Sequence, residues 1–176
     1  GCAASSPAEL ITPFREEQLA RVLERREVPE GGGTVGAVAL DREGRLAAAT
    51  STGGVVGKRS GRISDSAIIG AGTWADDLTC AISATGEGEY FIRAAFARGV
   101  DMRLRHTSPT LDAACAEALA EVRELGGVGG CIALDPRGEV SLRCNTPAMV
   151  RGLVRGDGPA EIAIAADEGL RPAPSG

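Results

Sequence analysis

Histidine, aromatic residues and long apolar runs are what this chain has least of, and each shortage excludes something. His106 is the only histidine. It sits in RLRHTSP between two helical segments, where a solvated loop residue is expected, so Ser–His–Asp chemistry and histidine-based metal clusters lack their parts. One Trp, one Tyr and three Phe make up the aromatics, so a core must be built from Ala, Val, Leu and Ile. The 43% hydrophobic content is enough for one. No apolar run reaches the roughly 20 residues needed to cross a bilayer. Basic residues do not outnumber acids, the net charge being −5, which argues against a nucleic-acid footprint. The cysteines (Cys2, Cys80, Cys115, Cys131, Cys144) are odd in number and contain no CxxC pair. Free thiols behaving as small hydrophobes in a reducing, cytoplasmic setting are expected, with no metal and no cofactor. No GxxxxGK[ST] loop occurs, and GEGEY at 86–90 carries Glu87 and Glu89, which repel phosphate.

A length of 176 residues favours one domain or part of one. The opening GCAASS fits a short acylation pattern, but a chain that begins mid-protein explains Gly1 better. Residues 12–28 read as an amphipathic helix. Thr12 caps it, Pro13 takes its first position, and Leu19, Val22, Leu23 and Arg26 share a face. Pro29 and Gly31–Gly33 end it. TVGAVAL and RLAAATST flank the turn DREG and predict a hairpin. A second copy follows at 129–146, ALDREGRL at 39–46 matching ALDPRGEV at 133–140. The repeat predicts two hairpins that neighbour each other in one sheet. Short strands are expected at about 67–73 and 79–84. A helix follows over 86–99 with Gly99 as its cap. A second helix starts at Ser108-Pro109 and is striped by Leu111, Cys115, Ala118, Leu119, Val122 and Leu125, with Gly126 as its stop. AEIAIAAD in the tail is a further strand. Strands, then helices, then strands imply an α+β chain with helices on one face of an antiparallel sheet.

Once triads and metals are set aside, threonine and glycine remain. In EGGGTVG three glycines run into Thr34 at the head of a strand. A peptide bond in a flexible turn before a threonine can be attacked by that hydroxyl, leaving an N-terminal nucleophile with its own amine as base. Thr34, Thr52 and Thr85 each sit at a strand end beside glycine. They are placed to converge on one pocket, although threonine in strands followed by glycine needs no function. In KRSGRISDS, Arg62 and Asp65 lie three residues apart. They can clamp a zwitterion, Arg62 on a carboxylate and Asp65 on an ammonium, or form an ordinary surface ion pair.

Four stretches in order, GTVGAVALD (33–41), AAATSTGG (47–54), KRSGRISDSAIIGAGTWAD (58–76) and ATGEGEYFIR (84–93), resemble the β-subunit of the plant-type asparaginase and isoaspartyl peptidase family. These are N-terminal-nucleophile (Ntn) hydrolases. The resemblance runs from about Gly33 to about Gly152. It implies an αββα sandwich, of which this chain holds the C-terminal half and the last helix of the α-subunit. Residues 1–33 would then be the α-subunit tail and Gly-rich linker, and 34–176 the β-subunit. It also implies autocleavage between Gly33 and Thr34. Thr34 would attack L-asparagine or a β-aspartyl dipeptide and Thr52 would orient it. Arg62 and Asp65 would hold the substrate's α-carboxylate and α-ammonium. Thr85 and the Gly86 amide would stabilise the oxyanion, and Gly88 would line the pocket.

Departures from the family text are Gly57 and Ser60 in place of Asn and Pro, Ala67 in place of Pro, and Glu87 between Gly86 and Gly88. Gly57 and Ser60 are expected to loosen the loop carrying Arg62, and Glu87 to alter which leaving group is accepted. Family precursors are about twice as long, so a missing α-subunit and a homodimer of αβ units are the expected partners, with no nucleic acid and no membrane. The competing expectations are a non-catalytic fragment that acts only by association, and a glycosylasparaginase-like amidase.

Overall fold

The computed structural model describes residues 6, 9, 11–25, 33–107 and 110–174. Cys2, the expected helix end at 26–28, the linker Pro29–Gly32 and the start at Ser108-Pro109 lie outside them. The chain divides into two compact units, one within 1–34 and 52–62, the other 35–51 and 63–176.

The first unit holds α1 (Pro13–Arg25) and the 53–62 loop. The carbonyl of Thr12 accepts from the amides of Arg15 and Glu16, and Pro13 takes the first helical position, where its missing N–H costs nothing. Leu19 and Val22 of the expected stripe lie against Gly57.

The second unit is built on a four-stranded antiparallel sheet in the order β3 (Thr73–Asp76), β4 (Cys80–Gly86), β5 (Gly129–Leu134), β6 (Val140–Cys144). Alternation along the strands sorts its faces. Cys80, Ile82, Ala84, Cys131 and Ala133 join Phe91, Phe96, Val100, Cys115 and Val122 in one buried cluster. Those partners come from α2 (Gly88–Arg93), α3 (Phe96–His106) and α4 (Leu111–Glu124). Thr110 caps α4, accepting from the Ala113 amide at 3.1 Å, and Gly126, at φ 97°, ends it. On the opposite face Ser83 meets the hairpin of β1 (Thr34–Leu40) and β2 (Leu46–Thr52). The Thr50 and Ser83 hydroxyls are 2.6 Å apart. A Cβ on Gly36 would lie 2.2 Å from Ser83 Oγ, so glycine is required for this approach. A smaller antiparallel sheet of β7 (Ala148–Leu153), β8 (Glu161–Ala165) and β9 (Arg171–Pro172) follows. The tail strand is therefore present as β8.

Three expectations are corrected. The repeated hairpins do not share a sheet: β1–β2 forms its own and β5–β6 belongs to the four-stranded one. What repeats is turn chemistry. Asp41 Oδ1 accepts from the amides of Glu43 and Arg45 at 2.9 and 2.8 Å. Asp135 Oδ1 accepts from Arg137 and Glu139, both at 2.9 Å. Gly44 and Gly138 supply φ of 81° and 84°. Such a turn fixes a hairpin and leaves its sheet partner open.

The strand expected at 67–73 begins only at Thr73, and residues 67–72 are not part of it. Asp65–Ala67 forms a single 3-10 turn, and the Asp65 carbonyl accepts from Ile68 and Gly72 at 2.9 and 3.1 Å, folding the segment back. The helix over 86–99 is two helices, broken at Ala95 with φ 45°. Two amides in the first turn of α3, Ala97 and Arg98, donate to the carbonyls of Ala71 and Gly70 at 3.1 and 2.8 Å. Those tertiary acceptors start a new helix, so Gly99 is interior and His106 is the exposed last residue of α3.

Candidate active site

In the first unit, Thr34 opens β1 half-buried, directly after Gly33. The Thr52 hydroxyl donates to the carbonyl oxygen of Gly33 at 2.9 Å and accepts from the Gly54 amide at 3.0 Å. One hydroxyl, itself held by a backbone donor, therefore polarises the carbonyl of the peptide bond preceding Thr34. Gly54, at φ 77°, packs on Lys58 and Arg62. A Cβ there would lie 3.0 Å from Lys58 Cδ and 3.3 Å from an Arg62 guanidinium nitrogen. Lys58 Nζ donates to the Gly53 carbonyl at 2.7 Å. Gly33, Gly53–Lys58 and the α1 residues Ile11 to Leu19 line a cavity of about 500 Å³. Gly57 has φ 72°, a left-handed conformation that asparagine also tolerates, so glycine at this position is compatible with the same turn.

In the second unit, Asp65 is 3% exposed. Its carboxylate lies between two glycines. A Cβ on Gly72 would be 2.6 Å from Asp65 Oδ2, and one on Gly88 would be 2.5 Å from Oδ1. The Ser64 hydroxyl accepts from the Ser66 amide and steadies this turn. Ala67 donates its amide to the Ser64 carbonyl at 3.2 Å, a bond that proline could not make. Thr85 is on the Ser83 face of β4, away from the helices, by strand alternation. Gly86 follows at φ 148°, and a Cβ there would come within 2.4 Å of the Val128 carbonyl oxygen.

The structure thus groups Gly33, Thr52 and Arg62 with the 53–58 loop in the first unit, and Asp65 with Gly88 in the second. Thr85 and Gly86 close β4 there. Gly72 was missed in the sequence. Its signal is the GAG triplet at 70–72, which reads as strand.

Burial pushes the Cys80 thiol up to about 12, as expected of a core hydrophobe, and Cys80, Cys115, Cys131 and Cys144 are free. Among the described residues no three His, Cys, Asp or Glu side chains gather as a metal site, and no helix is long and apolar enough to cross a membrane.

A threonine preceded by a polarised glycyl carbonyl, in an α+β chain of antiparallel sheets, suits the Ntn-hydrolase class. The asparaginase family profile matches residues 9–164, and this chain belongs to that family. It is similar to the isoaspartyl peptidase of Escherichia coli (strain K12), with 44% identity over 158 residues, 83% of this chain and 49% of that protein. The rat isoaspartyl peptidase/L-asparaginase is 42% identical over 153 residues, 82% of this chain and 45% of that protein. A probable isoaspartyl peptidase/L-asparaginase of Arabidopsis thaliana is 44% identical over 131 residues, 74% of this chain and 40% of that protein. The chain spans about half the length of the curated relatives it matches.

Proposed function

We propose that this chain carries the nucleophile of a hydrolase that cleaves the side-chain amide of L-asparagine and the isopeptide bond of β-aspartyl dipeptides. The observation that carries this reading is the Thr52 hydroxyl bonded to the Gly33 carbonyl. In autocleavage, Thr34 Oγ attacks the Gly33 carbonyl carbon, the oxyanion forms against the Thr52 donor, and the Thr34 nitrogen leaves as an amine, taking up the proton that Oγ gives up. Water then hydrolyses the resulting ester. The freed α-amine takes the proton from Oγ when Thr34 attacks substrate. Ammonia or an amino acid departs, and a second water releases aspartate. Arg62 and Asp65 hold the substrate's α-carboxylate and α-ammonium, Thr85 and the Gly86 amide face the oxyanion, and Gly88 sets the depth beside Asp65.

This reading includes an α-part comprising residues 1–33 and more, packed against the β-part 34–176 in an αββα arrangement, with two αβ units forming a homodimer. A cavity of about 670 Å³ whose lining includes Val38, Leu40, Ile132, Leu134 and Leu142, and, separately, the 76% exposure of Val35 on β1, support a further partner on this hairpin. Free buried thiols support a cytoplasmic setting. The test is hydrolysis of L-asparagine and β-aspartyl dipeptides by the cleaved protein beside Thr34→Ala. Turnover only with Thr34 supports the reading. Turnover by Thr34→Ala, or by neither protein once cleavage is complete, rejects it.

A further inference from the structure

Gly86 and Gly129 are register partners that touch backbone to backbone. A Cβ on Gly129 would lie 2.2 Å from the Thr85 carbonyl oxygen and 2.8 Å from Gly86 Cα. The position of the Thr85–Gly86 turn is therefore set by segment 127–129. Two side chains hold that segment. Val128 donates its amide to Glu87 Oε2 at 3.1 Å, and the Val128 carbonyl accepts from the Glu87 amide at 3.0 Å. Gly129 donates to Asn145 Oδ1 at 2.7 Å, and the Gly129 carbonyl accepts from the Asn145 amide at 2.9 Å. Asn145 Nδ2 donates to the Gly127 carbonyl at 3.3 Å. Every backbone polar group from the Gly127 carbonyl to the Gly129 carbonyl is thus satisfied by Glu87 or Asn145.

We propose that Glu87 and Asn145 are positioning residues that lock the Thr85–Gly86 turn in its oxyanion-binding geometry. The proposal rests on the reading of that turn as the oxyanion site. One oxygen of the Glu87 carboxylate, Oε2, is held by the Val128 amide. A misplaced oxyanion donor costs rate more than binding, because the charge it meets develops only in the transition state.

The test has two arms on the full chain. The first needs no turnover. Hydrogen exchange is followed at the residue-87 and Gly129 amides in Glu87→Ala, Glu87→Gln, Asn145→Ala and Asn145→Asp. The alanine variants are expected to lose about tenfold protection at residue 87, the scale of one hydrogen bond, while Leu134 and Leu142 stay unchanged. Glu87→Gln, which keeps an acceptor oxygen, restores it. Asn145→Asp keeps the Gly129 bond but loses the Gly127 one, and falls between. Glu87 is exposed, so its variants fold even if Asn145→Ala does not. The second arm reads kinetics of the cleaved enzyme. Expected is a fall of roughly 10–100-fold in kcat with KM nearly constant, again rescued by Glu87→Gln. Unchanged exchange at residue 87 overturns the clamp. So does an unchanged kcat in both alanine variants when Thr85→Val has lost it. A Thr85→Val enzyme with full kcat instead rejects the oxyanion reading itself.

Discussion

Thr52 donates its hydroxyl to the carbonyl oxygen of Gly33 across 2.9 Å, on the peptide bond whose far side is Thr34. In the proposed autocleavage that oxygen becomes an oxyanion, and a donor aimed at it stabilises the transition state. Loss of one such donor costs on the order of 10²–10³ in rate. Thr52→Val, which keeps the shape and removes the hydroxyl, should slow the appearance of the Thr34 amino terminus by that scale. A time course of N-terminal sequencing checks it. Thr52→Ser should retain most of the rate.

The two glycines around Asp65 make a second prediction. Gly88→Ala places a carbon 2.5 Å from Asp65 Oδ1, so something must move. The expected cost is about 1–3 kcal/mol in urea unfolding; on the proposed reading, in which the Asp65 carboxylate binds the ammonium, kcat/KM for asparagine falls about tenfold as that carboxylate shifts. Gly72→Ala is the more damaging change, because its Cβ would meet the Asp65 backbone carbon at 2.6 Å.

Asp101 gives the acid limb of stability. It is fully buried. It accepts from the Thr79 hydroxyl and pairs with Arg98 and Arg105. Arg105 also reaches Asp76 at 2.5 Å. Burial pushes its carboxyl up, but the Thr79 hydroxyl and the two guanidinium groups outweigh burial and hold it below its ordinary value. A carboxyl lowered in the folded state contributes stability that is complete above its unfolded value, near 3.9. That stability is lost as pH falls from there through the folded value. Asp101→Asn should lose about 3 kcal/mol at pH 7 and flatten the decline below about pH 4. Urea midpoints measured from pH 7 to pH 3 test both.

Ala95 pays for a left-handed backbone, φ 45° and ψ 48°, at the exposed break between α2 and α3. Glycine adopts that conformation freely, and the penalty for other residues is about 1–2 kcal/mol. Ala95→Gly is expected to be neutral or stabilising by up to about 1 kcal/mol, because glycine's extra unfolded-state entropy offsets part of the gain. A thermal melt beside the parent chain decides it.

That break also shows where the sequence stopped being legible. The spacing of Phe91, Ala94, Ala95 and Arg98 is helical, and nothing local announces that Ala97 and Arg98 donate to carbonyls of the Gly70–Ala71 turn. The same turn hid the true strand at Thr73–Asp76 and the role of Gly72, because two glycines around one alanine read as strand when no tertiary acceptor is in view. Hairpins were legible because their chemistry is local: Asp41 and Asp135 bond to amides two and four residues on. Their sheet membership was not, since it depends on Gly36 and Thr50 meeting Ser83. For the candidate site, residue types could be read from text. The bonds from Thr52 to Gly33 and from Asn145 to Gly129 span 19 and 16 residues, a range that pattern alone does not reach.

The most direct measurement is the intact mass of the purified chain after standing at neutral pH, beside Thr34→Ala. Two fragments that divide between Gly33 and Thr34, absent from the variant, are predicted. A chain that keeps its full mass, indistinguishable in behaviour from Thr34→Ala, contradicts the assignment of Thr34 as a self-freed nucleophile in this polypeptide.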